Sequence, residues 1–160
     1  MVLKDIHQEK DFVDERQKVM ANIQFTNGWL HEKVKHFLGQ ADITPQQYNM
    51  LRILRASDVP LSTMQIRERM FDKMSDTSRL VDRLILKGLI EKKVCLSDKR
   101  LVDISITDKG VECLNKLDIR NEEFYNIVSG LTTEEARLLD SLLDKIRHPE
   151  LSVAHLNNAQ

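Results

Sequence analysis

Apolar side chains recur at helical spacing near the start of the chain. The members of this stripe are Val19, Ile23, Leu30, Val34 and Phe37. Their spacings of three, four and seven residues place them on one side of a helix, which we expect to run from about His7 to Leu38. Asn27-Gly28 favours a turn, but one Gly inside a helix costs only about 1 kcal/mol relative to Ala. A continuous helix is therefore the favoured prediction.

Capping residues mark the next two helices. Thr44-Pro45 predicts a helix start, because Thr can accept a backbone N–H as N-cap and Pro loses nothing at the first helical position. This second helix should end near Ala56. Ser62 or Thr63 can cap a short third helix through Met70. Its buried side is expected to include Met64, Ile66 and Met70.

A fourth helix and a hairpin follow. Ser75 is the N-cap candidate for the helix, Gly88 its expected end, and the predicted buried face holds Leu80, Val81, Leu84 and Ile85. The segments LIEKKVC and LVDISI are rich in β-branched residues and flank a polar turn at 96–100, which predicts a β-hairpin.

Two more helices are expected after the hairpin. Thr107 should cap one that continues to about Val128, where Ser129-Gly130 separates it from the last. In LTTEEARLLDSLLDKIR, Thr132 or Thr133 with Glu135 or Glu134 resembles a capping box. The fold class is therefore mainly α with a small β-hairpin wing, and the order of helices and hairpin is that of a winged helix-turn-helix.

Composition narrows the function classes. The chain has 160 residues, 41% hydrophobic and 31% charged, with five Gly and three Pro, which suits one mostly helical domain. No run of about eighteen apolar residues and no signal peptide is evident, so we expect a cytoplasmic protein away from membranes. Cys95 and Cys113 lack metal-ligand spacing and are interpreted as free thiols. No nucleotide-binding or catalytic motif occurs, so we expect no enzyme, no cofactor and no metal.

Charge is divided along the chain. Residues 45–110 hold thirteen Lys and Arg against nine Asp and Glu, a net charge of +4. The flanks hold the other eleven basic and sixteen acidic residues, a net charge of −5, although the whole chain is close to neutral. A basic centre favours DNA, whose affinity comes largely from phosphate neutralisation, although chance variation gives such a division too.

Family-typical strings occur in the same central region. RLVDRLILKGLI from Arg79, the Asp98-x-Arg100 pair, and ISITDKG with Thr107 and Gly110 resemble the multiple-antibiotic-resistance regulator family, MarR, of bacterial transcription factors. The TPQQYNMLRIL segment from Thr44 is similar to the family's second helix. The resemblance covers nearly the whole chain in order of elements.

The resemblance implies an assembly and a function. It implies one domain over residues 1–160, with dimerisation helices at 7–38 and 107–148 around a DNA-binding core at 45–106. The implied protein is a homodimeric regulator, a repressor released by a small ligand, which binds a pseudo-palindromic operator in double-stranded DNA. The alternative is a winged-helix protein-interaction module without sequence-specific DNA binding, motivated by Asp76 at the start of the fourth helix and by the small positive charge.

Polar residues of the helix-turn-helix are the candidate DNA contacts. In the recognition helix these are Thr77, Ser78, Arg79 and Arg83, with Arg the strongest reader because its fork matches guanine O6 and N7. A solvated face paired with Asp82 is the competing interpretation. Ser62 and Thr63 begin the preceding helix, where backbone N–H groups could bind phosphate, although plain capping explains Ser62 equally well.

The wing and the first helix supply further candidates. Lys99 and Arg100 at the wing tip could reach a minor groove or phosphates, while Asp98 is expected to brace the turn, and Arg100 could serve as a brace too. Lys92 and Lys93 should point to opposite faces of their strand. The family's effector clefts suggest Phe25, Trp29 and His36 as contacts for a small aromatic effector, although core packing or dimer contact is the more common role for such residues.

Overall fold

The computed structural model describes residues 12–94, 102–148 and 150. The chain divides into two compact units, Met1–Phe124 and Tyr125–Gln160. The helices are α1 (Glu15–Gly39), α2 (Pro45–Arg55), α3 (Thr63–Arg69), α4 (Thr77–Leu86), α5 (Asp108–Asp118), α6 (Asn121–Tyr125) and α7 (Thr133–Arg147). The strands are β1 (Ile90–Val94) and β2 (Val102–Ile106), and a 3-10 turn spans Asn126–Val128. The predicted fold class, mainly helical with one hairpin, is confirmed.

The first helix is continuous, as expected, but begins later than predicted. It passes through Asn27-Gly28 without a break. Its start is fixed by reciprocal capping: the Gln17 N–H donates to Asp14 Oδ1 at 2.9 Å, and the Val13 N–H donates to Gln17 Oε1. Because these bonds satisfy the first free N–H groups, the helix begins at Glu15, and the prediction of a start near His7 is wrong for residues 12–14. His7 itself lies outside the described residues.

Capping boxes begin α2 and α3 where the sequence predicted them. Thr44 caps α2 with Gln47 as its partner, and Ser62 caps α3 with Gln65. Ile66 and Met70 are buried as expected, one turn apart on the same face. Met64 is 68% exposed, which contradicts the prediction. It lies two residues before Ile66, about 200° away around the helix, and therefore faces away from the core.

The fourth helix starts one residue later than expected. Asp76, and not Ser75, is the N-cap, and its side chain accepts the Arg79 N–H. Val81 and Leu84 are buried as predicted, together with Thr77, while Leu80 and Ile85 are half-buried beside them. Thr77, the first residue of the helix, lies one turn before Val81 and therefore on the core face.

The hairpin is joined to the helical part of its unit by a short third pairing. β1 and β2 pair antiparallel, from Ile90 opposite Ile106 to Val94 opposite Val102. Leu61, between α2 and α3, exchanges two backbone hydrogen bonds with Ile104 of β2, with N···O distances of 3.0 and 2.9 Å. Both side chains are buried. No pattern in the sequence indicated this bridge.

The helix predicted from Thr107 to Val128 is broken. α5 is capped by Thr107 as expected but ends at Asp118, and the Arg120 N–H donates to Leu117 in a tight turn. The Arg120 guanidinium donates to Gln40 and binds Glu123. The break redirects the chain so that Phe124 packs edge-on against Phe37, with ring centroids 5.4 Å apart.

The core of the first unit draws on every element around the helix-turn-helix. α2 lies at its centre and contacts α1, α3, α4, α5 and β2. The largest fully buried side chains are Leu38, Met50, Leu51, Leu61, Ile66, Leu84, Ile104 and Leu114. These side chains come from each of the helices α1 to α5 and from both partners of the Leu61–Ile104 bridge. The first unit therefore has one shared apolar core.

The second unit contains one amphipathic helix. α7 is capped by Thr132 with Glu135, which settles the choice of capping box. It buries no residue in its own unit, and Leu138, Leu139, Leu142 and Ile146 are all exposed. Within the described part of the chain, no helix combines the length and apolarity that a membrane span requires.

Candidate nucleic-acid interface

The recognition helix α4 presents a polar stripe opposite its core face. Thr77, Val81 and Leu84 face the core at intervals of four and three residues. The exposed positions also follow helical spacing and comprise Ser78, Arg79, Asp82, Arg83 and Leu86. A stripe with two guanidinium groups, one hydroxyl and one carboxylate can both donate to and accept from base edges.

Asp76 and Arg79 form a local pair at the start of this helix. Asp76 Oδ1 accepts the Arg79 backbone N–H at 3.1 Å, and Asp76 Oδ2 lies 3.2 Å from Arg79 Nε. The Arg79 side chain is 79% exposed and that of Asp76 57%. The carboxylate thus caps the helix and restrains the Arg79 guanidinium at its Nε edge, while the terminal nitrogens bind no other described residue. The two terminal nitrogens of the Arg79 guanidinium therefore stay accessible and can donate two hydrogen bonds to one base.

Thr77 is placed differently from the other predicted contacts. It is only 5% exposed, and its hydroxyl donates to the Ser75 carbonyl at 3.4 Å. Ser78, one position on, is exposed. The burial of Thr77 follows from its position one turn before Val81, and it runs against the expectation that its hydroxyl faces bases.

At α3, capping accounts for Ser62. Its hydroxyl accepts the Gln65 N–H at 3.2 Å, and Gln65 Oε1 accepts the Ser62 N–H at 2.9 Å. Thr63 is half-buried beside it. The exposed cations of this helix are Arg67 and Arg69 in its last turn.

The loop between α3 and α4 is ordered by side-chain bonds. Asp72 accepts the Met74 N–H at 2.9 Å and the Ser75 hydroxyl at 2.7 Å, and the Phe71 N–H donates to Asn49 of α2. The hydrogen bond from Ser75 is the main cause that lowers the pKa of Asp72, so this carboxylate is ionised at neutral pH. The same loop carries Phe71 and Met74, which are 92% and 91% exposed. Sequence reasoning missed both residues.

The wing is described only along its paired strands. Lys99, Arg100, Asp98 and Cys95 lie outside the described residues. Within β1, Lys93 Nζ lies 2.7 Å from Glu91 Oε1, two positions away on the same side of the strand. Lys92 therefore lies on the opposite side, as the alternation predicted.

A close backbone approach fixes the junction of α4, the wing and α5. The Thr107 hydroxyl donates to the Gly88 carbonyl at 2.8 Å, and Gly88 has a φ of +70°, which suits glycine. At Gly110, a Cβ atom would lie 2.2 Å from the Leu89 carbonyl oxygen. Only glycine allows α5 to lie this close to the chain between α4 and β1.

The three predicted effector residues are not gathered at one site. Phe25 is half-buried, while Trp29 and His36 are exposed on α1. His36 lines an open cleft with Glu32, Lys35, Gly39 and Gln40. A separate cleft of about 340 Å³ lies between α1, the start of α2 and the α3–α4 loop, where Leu30, Val34 and Phe71 supply apolar lining. Neither cleft is lined by Phe25 or Trp29.

The architecture defines a winged helix-turn-helix protein: two helices joined by a turn, the second with an exposed polar stripe, followed by a hairpin. Residues 41–101 match the model of the MarR family. The MarR resemblance found in the sequence is thereby confirmed, and the fold is that of MarR-family transcription regulators.

Solved structures agree with this assignment. The MarR transcription factor of Planctomyces limnophilus is 27% identical, with 88% of this chain and 98% of that chain covered and a TM-score of 0.64. MepR of S. aureus, in complex with DNA, is 26% identical, with 79% and 94% covered and a TM-score of 0.71. The organohalide-sensing regulator RdhR, in its 2,4-dichlorophenol-bound form, is 20% identical, with 97% and 92% covered and a TM-score of 0.80.

Proposed function

We propose that this protein is a homodimeric, sequence-specific DNA-binding regulator of bacterial transcription, a ligand-responsive repressor that acts in the cytoplasm. The observation that carries the proposal is the exposed stripe of α4, in which Arg79 and Arg83 lie four residues apart on a helix backed by the core. A recognition helix requires this combination, because the buried face fixes the helix and the polar face reads bases. The DNA-bound MepR structure supports the same use of the fold.

The proposed contact set follows from the placement of each residue. Ser78, Arg79 and Arg83 are the base-reading candidates, and Lys99 and Arg100 stay predicted contacts at the wing tip. Thr77 is left out because it is buried. Ser62 and Thr63 remain predicted phosphate neighbours through the backbone N–H groups that begin α3.

DNA binding is tested in two stages. Sites are first selected from a random DNA pool with the full-length protein, and the affinity for the recovered site is then measured across salt concentrations. We expect a pseudo-palindromic site and a steep fall of affinity with salt, since phosphate contacts release counterions. The double variant Arg79→Ala with Lys99→Ala should bind the site at least about tenfold more weakly.

A matched variant separates contact from bulk charge. Lys116 is an exposed cation on α5, and Lys116→Ala removes a charge that belongs to neither α4 nor the wing. We expect it to retain operator affinity. Unchanged affinity in the Arg79 and Lys99 double variant would refute the contact assignment, and failure to select any site would refute the proposed function.

The exposed apolar face of α7, together with exposed apolar side chains on α1, supports the homodimer. Val19, Met20, Ile23 and Trp29 are exposed on α1, and the α7 face comprises Leu138, Leu139, Leu142 and Ile146. Amphipathic helices whose apolar side is uncovered are typical of subunit interfaces. A second copy would also bring two recognition helices to the spacing of about 34 Å that successive major grooves require.

Sedimentation measurements test the homodimer. Leu142→Glu places a charge on the apolar face of α7, whereas Ser141→Glu adds the same charge to the adjacent exposed position. We expect the Leu142 variant to sediment as a monomer or to dimerise much more weakly, and the Ser141 variant to remain dimeric. Equal behaviour of the two variants would exclude this face from the interface.

Ligand response is proposed from the cleft between α1 and the helix-turn-helix. Its volume of about 340 Å³ is in the range of small-molecule sites. RdhR was solved with 2,4-dichlorophenol bound, which makes chlorophenols suitable probes here. Phe25, Trp29 and His36, the effector contacts predicted from the resemblance, do not line this cleft, so its apolar lining by Leu30, Val34 and Phe71 replaces them in the proposal.

The chain offers its own reporter for ligand binding, because Trp29 is its single tryptophan. We expect 2,4-dichlorophenol to change Trp29 fluorescence and to weaken operator binding over the same concentration range. Absence of both ligand effects would contradict phenolic sensing.

A reporter gene placed behind the selected operator tests repression. It should be expressed more strongly when the regulator is removed, whereas lower expression would indicate activation.

The alternative function, a protein-interaction module, was suggested by Asp76 and by the small net positive charge of residues 45–110. Asp76 now has a structural role, because its carboxylate caps α4 and pairs with Arg79. With its negative charge held by these two donors, Asp76 is compatible with DNA beside the helix. We therefore favour DNA binding over the protein module.

A further inference from the structure

The loop between α3 and α4 is longer than a helix-turn-helix requires. α3 ends at Arg69 and α4 begins at Thr77, so seven residues, Met70–Asp76, connect them. A turn of about three to four residues usually suffices for this motif. The additional residues include Phe71 and Met74, the two most exposed large apolar side chains near the recognition helix.

Specific bonds hold this loop in one conformation. Asp72 binds the Met74 N–H and the Ser75 hydroxyl, Asn49 accepts the Phe71 N–H, and Lys73 Nζ donates to the Glu68 carbonyl at 3.0 Å. A loop fixed from both sides presents its side chains at defined positions. Met74, at 91% exposure, is therefore a preorganised apolar contact without a partner among the described residues.

The loop continues directly into the end of the helix that enters the groove. Met74 precedes the N-cap Asp76 by two residues, which places it within about 7 Å of the start of α4 along the chain. In helix-turn-helix proteins the N-terminal part of the recognition helix meets the base edges. An exposed methionine at that end thus borders the base-reading stripe.

Side-chain chemistry favours a base contact over a phosphate contact. The thioether of Met74 has no hydrogen-bond donor, so it cannot donate to a phosphate oxygen. In the major groove the one apolar feature of a base is the 5-methyl group of thymine. Met side chains adapt well to such small apolar surfaces because they are unbranched and polarizable.

We propose that Met74 reads a thymine 5-methyl group in each half of the operator, as an apolar specificity contact at the N-terminal edge of the recognition helix. This inference rests on the proposed DNA-binding function and adds a specificity residue to it. Contact with one methyl group is expected to contribute about a fourfold difference in affinity per half-site.

The test replaces thymines of the selected operator one at a time with uracil, which removes only the 5-methyl group. For the full-length wild-type protein we expect one thymine position per half-site at which this replacement weakens binding about fourfold. Met74→Ala removes the contact from both half-sites, so it should bind the thymine operator about sixteenfold more weakly and become insensitive to uracil at that position. Met74→Leu should retain the sensitivity.

Met64→Ala is the matched control, because Met64 is also an exposed methionine but lies on α3, outside both the loop and α4. It should keep the uracil sensitivity. Specific operator binding without methyl dependence, or methyl dependence that persists in Met74→Ala, would overturn this inference and leave DNA binding intact. Failure of the wild-type protein to bind any selected site would overturn the proposed function as well.

Discussion

Asp76 allows a sharp test of what stabilises the recognition helix. Its carboxylate has two roles, as N-cap acceptor for the Arg79 N–H at 3.1 Å and as ion-pair partner of Arg79 Nε at 3.2 Å. Asp76→Ala removes both roles. Asp76→Asn removes the charge but keeps a side-chain oxygen that caps helices as well as Asp does.

The two roles differ in magnitude. Replacement of an N-cap Asp by Ala costs about 1 kcal/mol. The ion pair is largely solvent-exposed on both sides, and such pairs contribute between about 0 and 1 kcal/mol, most often near the lower end. The cap should therefore dominate. We expect Asp76→Ala to lower the free energy of unfolding by about 1 kcal/mol, and Asp76→Asn by less than about 0.5 kcal/mol.

Urea unfolding at one fixed protein concentration measures these differences, since the stability of a dimer depends on concentration. For a chain of this length, 1 kcal/mol corresponds to about 3 °C in Tm, so thermal unfolding provides a second readout. Equal destabilisation of the two variants would show that the charge pair, and not the cap, stabilises the start of α4. Operator binding by Asp76→Asn then reports the effect of the charge alone.

Two further outcomes concern the core and its thiol. Gly110→Ala should lower the free energy of unfolding by about 2 kcal/mol, because its Cβ would lie 2.2 Å from the Leu89 carbonyl oxygen. Gly28→Ala, with open space around it, should raise the free energy of unfolding by about 0.5–1 kcal/mol. Urea titrations of both variants measure these opposite changes, and a loss of stability in both variants would contradict the packing argument. Burial raises the pKa of the Cys113 thiol, so in a Cys95→Ser protein iodoacetamide should alkylate it more slowly at pH 8 than after unfolding, with the difference narrowing as pH rises. Equal rates in folded and unfolded protein at pH 8 would refute this burial effect.

The order of elements was predictable because caps and apolar periodicity agree locally. Thr44, Ser62, Thr107 and Thr132 each cap the helix that the sequence assigned to them. In all four cases the cap bond joins residues three positions apart, so the determinant lies within a few residues. Local signals of this kind are visible in one sequence.

The misplaced boundaries depend on distant contacts. α5 ends at Asp118 because Arg120 reaches Gln40 and Phe124 packs on Phe37, both eighty or more positions earlier in the chain. The Leu61–Ile104 bridge likewise joins residues that no periodic pattern relates. Such pairings become visible only in the folded chain.

The residues of the candidate site could also be predicted only in part from local sequence patterns. Ser78, Arg79 and Arg83 are exposed as their helical spacing predicted, whereas Thr77 is buried. Thr77 lies four positions before Val81 and seven before Leu84, so helical spacing places it on the core face. The exposed Met74 was missed because the loop that holds it is fixed by hydrogen bonds to Asp72 and Asn49, which no helical periodicity in the sequence indicates.

The two hydrogen bonds between Leu61 and Ile104 have a consequence for how such a regulator changes over evolution. They fasten the hairpin to the segment that begins α3, so the wing and the recognition helix are carried by one shared core. In the proposed dimer, the bases that are read depend on α4, whereas the distance between the two half-sites depends on α1 and α7. Substitutions in α4 are then expected to change the operator sequence without changing the half-site spacing. Substitutions in α1 or α7 are expected to change the spacing without changing the bases that α4 contacts.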